Sequence, residues 1–123
     1  MIDFKNARTI KLSERDEKSA NDVLPLLIPG EEIVSVYKSV RDSVVFTTKH
    51  IIAVNVQGVT GKKKDFSILP YSKIQAFSVE TAGIGDWDSE LELWFSGLGT
   101  VKLEFSRESN VIEIGQLISK AIL

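Results

Sequence analysis

The sequence predicts a small, mainly β domain: about seven short antiparallel strands, preceded by a helical segment and closed by one amphipathic helix. Three observations carry this. The apolar residues of Glu31–Phe105 recur with a period of two, as expected for strands that cover a core on one face. Polar turn pairs and glycine-containing stretches interrupt them at short intervals. After Phe105 the period lengthens to that of a helix, which needs a flat apolar surface to bury its stripe.

Along the chain, Ser13 is a candidate N-cap, with Glu14, Asp16 and Glu17 suited to the first turn of a helix dipole. The predicted helix runs from Ser13 to Leu27, with a break near Pro25 and a stop at Pro29-Gly30. Glu31–Val40, Val44–Thr47 and Ile51–Val56 read as strands separated by Arg41-Asp42 and Thr48-Lys49. Ile51, Ile52, Val54 and Val56 are apolar on both faces, which predicts a covered strand. Phe66–Leu69 and Lys73–Thr81 follow, with Ile74 and Ala76 expected on one face and Phe77 and Val79 on the other. Leu91, Leu93 and Phe95 alternate with Glu90, Glu92 and Trp94; Val101, Leu103 and Phe105 alternate with Lys102 and Glu104. Ser96-Gly97-Leu98-Gly99 joins these two as a hairpin. Such alternation leaves one face of the sheet wet. In the last segment Val111, Ile114, Ile118 and Ala121 form the stripe, broadened by Ile122, and Asn110–Glu113 offers a weak capping box. Gly115 lies inside the helix and costs stability, so close packing on the sheet is its expected reason.

The organisation expected is a helical preface over residues 1–30 packed on a β domain over 31–123, one structural unit in all. A chain of 123 residues with 43% apolar and 26% charged residues can bury a core unaided. Fifteen basic residues against seventeen acidic ones give a net charge of −2, which argues against nucleic acid as a partner. The absence of cysteine excludes disulfides, thiolate metal sites and cysteine nucleophiles. With no hydrophobic leader or span, a cytoplasmic location is expected.

Several short motifs then occur in one order: YKSVRD, FTTKH, QGVTGKK, LPYSKI, FSVETAG and DWDSEL. Over Pro29–Gly97 the chain closely resembles the bacterial pleckstrin-homology (PH) domain family. The resemblance implies a PH-like fold of seven strands in two nearly orthogonal sheets, capped by the C-terminal helix. It further implies a small stand-alone cytoplasmic protein that assembles into ring-like homo-oligomers. One departure is His50, which stands where the family shows arginine.

The candidate chemistry is sparse. Gly58-Val59-Thr60-Gly61 spells a KH-type G-x-x-G but lies between strands, not helices. Gly61-Lys62 lacks the spacing, the hydroxyl residue and the following helix of a P-loop. Lys62, Lys63 and Lys64 read as a solvated hairpin that guards a sheet edge, with anionic lipid or phosphate contact as the alternative. The stretch comparable to the basic pattern of lipid-binding PH domains keeps Lys38 and Arg41, opposed by Asp42. His50, the only histidine, has no partners for catalysis and reads as a surface or turn residue. Asp86, Asp88 and Glu90 are too few for a calcium loop and read as a polar rim. Trp94, projecting among glutamates, is a candidate interface anchor together with Trp87, unless a neighbouring segment covers it. No cofactor is expected. The reading reached is a non-catalytic module that forms a homo-oligomer, with a peripheral anionic-lipid binder as the alternative.

Overall fold

The computed structural model describes residues 10–83, 88–106 and 111–122. Among them two sheets face each other. Strands β1 (Ile10–Leu12), β2 (Glu14–Arg15), β3 (Ile33–Lys38), β4 (Ser43–Thr47) and β5 (His50–Gln57) are followed by β6 (Lys63–Pro70), β7 (Ile74–Glu80), β8 (Ser89–Phe95) and β9 (Gly99–Phe105). The one α-helix, α1, spans Val111–Ile122. The four-stranded sheet runs β1-β9-β8-β7 and the five-stranded sheet β2-β3-β4-β5-β6. The two-period of the sequence is what places them: Leu91, Leu93 and Phe95 of β8, like Val101, Leu103 and Phe105 of β9, are buried on the inner face.

The sheets share one core. Tyr37 and Phe46 of the five-stranded sheet meet Phe105 of the other, with the Tyr37 and Phe105 rings edge-on at 5.0 Å. Helix α1 closes one end by burying Val111, Ile114 and Ile118 against the sheets. Gly115 packs as its position predicts: a Cβ there would lie 3.1 Å from Val79 Cγ2. Ile122, expected to widen the stripe, is exposed instead. Asn110 of the capping box lies outside the described residues.

Three expectations change. Residues 13–27 do not form an α-helix: β2 is extended, and only two short 3-10 turns follow, Glu17–Asp22 and Leu24–Leu26. Burial outweighs helix propensity here. The turns lie across the outer face of the five-stranded sheet and press Val23, with Ala20 and Leu27, onto Val36, Val45, Ile52 and Val54. This second cluster explains why β5 is apolar on both faces. Second, the four-stranded sheet is mixed, since β1 pairs parallel with β9 while β2 pairs antiparallel with β3. Third, a bulge between Ile74 and Ala76 puts the two on opposite faces: Ile74 enters the core and Ala76 is exposed.

Candidate functional site

The lysine hairpin is a tight turn at the end of the β5–β6 ladder, where Gln57 pairs with Lys63. Gly58 and Gly61 both have positive φ, 78° and 69°, which explains the glycines without a ligand. The five candidate cations do not converge on one free surface. Lys64 Nζ bonds Asp22 Oδ1 at 2.9 Å, and Lys38 Nζ stands 3.5 Å from Asp16 Oδ2, so both tie the N-terminal turns to the five-stranded sheet. Arg41 Nη2 donates to the Gly58 carbonyl and braces the turn. Asp42 does not oppose these cations: its Oδ1 accepts from the Val56 amide at 2.9 Å, and its Oδ2 accepts from the Asn55 amide nitrogen at 3.2 Å. Lys62 and Lys63 are exposed at the tip.

The wet face of the four-stranded sheet holds Trp94, 36% exposed, with Ala76 across from it on β7 and Thr100 on β9. Among the described residues no neighbouring segment covers its outer side completely. Strand β7 is the edge of this sheet, and β6 is the edge of the other, where Ile68 is 45% exposed. The opposite edges are formed by the short strands β1 and β2. Trp87 and Asp86 lie outside the described residues.

Sequence reasoning missed one site. His50 is not a solitary turn histidine. Its Nδ1 lies 2.9 Å from Glu31 Oε2, and the Glu31 side chain is only 1% exposed. The same carboxylate accepts from the Thr47 hydroxyl and, through Oε1, from the Ile28 amide at 3.2 Å. Burial alone would raise Glu31, but the hydrogen bonds from Thr47, His50 and Ile28 outweigh it and hold the carboxyl below its ordinary value. Tyr71 donates to the Thr47 carbonyl at 2.8 Å, and its phenol is pushed up by burial first and by Glu31 second. Glu31 and His50 are nineteen positions apart and no local pattern links them; the β3–β4 ladder, which sets Ile33 opposite Thr47, and the β4–β5 turn together bring them into contact.

A second carboxylate group gathers where β8 meets β9: Asp88, Glu90 and Glu104 line a shallow recess with Glu80. Burial, then a hydrogen bond with Asp88 and that residue's charge, raises Glu104; Lys11 opposes the shift and Glu90 adds to it. Lys102 Nζ is 3.5 Å from Glu90 Oε1. Among the described residues no group of three or more carboxylates and imidazoles has metal-binding geometry, and no helix is long and apolar enough to cross a membrane.

Two sheets, a helix across one end and a second apolar layer outside are a PH-like arrangement. The profile of the bacterial PH domain family matches residues 3–122. The chain belongs to that family. This bacterial PH domain protein is 40% identical over 116 residues to the uncharacterized protein YjqA of Bacillus subtilis strain 168, which covers 93% of this chain and 90% of YjqA. Among crystal structures, it is similar to a DUF1696 family protein with a pleckstrin-homology domain from Shewanella loihica PV-4. That likeness has TM-score 0.74 and 37% identity, covering 87% of this chain and 92% of the other. A pleckstrin homology domain from Shewanella amazonensis SB2B matches with TM-score 0.63 and 41% identity over 96% and 93% of the two chains.

Proposed function

We propose that this bacterial PH domain protein is a non-catalytic cytoplasmic interaction module that associates with copies of itself through the free edge of its four-stranded sheet. The observation that carries the reading is β7. Edge strands are normally guarded by lysine, proline or a covering segment. Ile74–Glu80 contains neither lysine nor proline, is bulged only at its start, and runs beside the exposed Trp94. The β6 edge of a second copy is guarded at its ends by Lys63, Lys64 and Pro70, but between them it presents the exposed apolar Ile68 to such a strand. A contact between two different edges is head-to-tail, and head-to-tail contacts that close make rings. Light scattering on the purified chain checks this: the mass expected is a multiple of 13.7 kDa. The pair Ala76→Lys and Trp94→Glu shifts it to the monomer. A wild-type monomer at micromolar concentration overturns the reading.

The exposed tip at Lys62 and Lys63 supports a second reading, peripheral contact with anionic lipid. With Lys38, Arg41 and Lys64 engaged internally, two charges contribute about 1 kcal/mol each near an acidic surface, below what a stable anchor needs. Sedimentation with phosphatidylglycerol vesicles that is lost in Lys62→Glu/Lys63→Glu favours this second reading; no sedimentation of the wild type removes it.

A further inference from the structure

At the far end of the β5–β6 ladder from the lysine tip, eight residues and roughly 20–25 Å away, a cleft of about 500 Å³ opens between the last turns of α1 and the corner at residues 70–72. A volume of this size suits a small organic molecule. Its walls are of two kinds. Pro70, Leu117 and Ala121 supply apolar surface. Lys49, from the β4–β5 turn, and Lys120, from α1, line the same opening from separate elements, and His50 lines it beside Lys49. Among the described residues, the buried Glu31 carboxylate is engaged by Thr47, His50 and Ile28 rather than by either lysine.

We infer that this cleft binds a small soluble amphipathic anion, with its charged head on Lys49 and Lys120 and its apolar body against Pro70, Leu117 and Ala121. The two requirements are separable. Head-group attraction without the apolar wall is a surface ion contact that salt screens. The apolar wall without the lysines does not distinguish an acid from an alcohol. The inference does not depend on self-association, since none of these residues lies on β7 or β6 except Pro70, the last residue of β6.

The test uses the full chain and the fluorescent probe anilinonaphthalene sulfonate, an apolar ring system carrying one anion. Saturable binding of one dye per chain is expected, displaced by octanoate but not by equal concentrations of acetate or octanol. Lys49→Glu/Lys120→Glu weakens dye binding about tenfold or more. Both lysines are exposed, so the melting temperature stays unchanged. Ala121→Trp fills the cleft and blocks dye and octanoate alike. Absence of saturable binding overturns the inference, as does full affinity in the double lysine variant. Displacement by acetate as good as by octanoate reduces the site to an ion contact, and equal displacement by octanol reduces it to an apolar groove; either result also overturns it.

Discussion

Glu31 shows how one side chain links the acid stability of the fold to its geometry. A carboxyl held below its ordinary value binds fewer protons in the folded chain than in the unfolded one. Its stabilisation is therefore complete above the unfolded value of 4.5 and is withdrawn as pH falls through the lower folded value. Glu31→Gln removes that dependence. The stability gap between wild type and variant, read from urea denaturation, is expected to be widest near neutral pH and to narrow steadily below about pH 4.5. A gap that does not change with pH contradicts the assignment. Asp42 supplies a second residue-scale prediction. Asp42→Ala strands the Val56 amide and the Asn55 side chain at the β3–β4 turn, with an expected cost of about 1–3 kcal/mol in the same measurement.

At the scale of elements, strands were legible wherever one face alone was buried, as in Ser89–Phe95 and Gly99–Phe105. Periodicity cannot see an extra residue, so the bulge after Ile74 escaped it. Nor can it see a surface that another segment will cover. Ser13–Leu27 carries a candidate serine cap, an acidic first turn and clustered leucines, which look helical, yet Ala20, Val23 and Leu27 lie across a sheet in two short turns, the second of which holds Pro25. The candidate sites were less legible than the fold. Lys62–Lys64, Lys38 and Arg41 were visible as charges, but their internal partners at Asp22, Asp16 and Gly58 come from distant parts of the chain. The placement of α1 was readable down to Gly115, and it yields a test. Gly115→Leu forces a side chain into Val79 and is expected to cost about 1–3 kcal/mol, despite the better helix propensity of leucine. A rise in melting temperature shows instead that β7 yields freely.

At the scale of the whole molecule, the stretch from Ile10 to Arg15 passes from one sheet to the other, joining β9 as β1 and β3 as β2. Leu12 contributes to the shared core and is almost fully buried. Leu12→Ala is expected to cost about 2–5 kcal/mol, the range for emptying a core position. A change within about 0.5 kcal/mol, typical of a surface site, shows residues 1–30 to be a dispensable addition to a self-sufficient domain.

That crossing also sets an order of events during synthesis. Ser106 bonds the carbonyl of Ser13 across 93 residues of chain. During synthesis β2 can pair with β3 early, whereas β1 takes its place only after β9 has emerged. Once β9 is made, its outer flank stands open to any passing strand until β1 returns to seal it, and in that interval the newborn chain is most prone to stick to its neighbours.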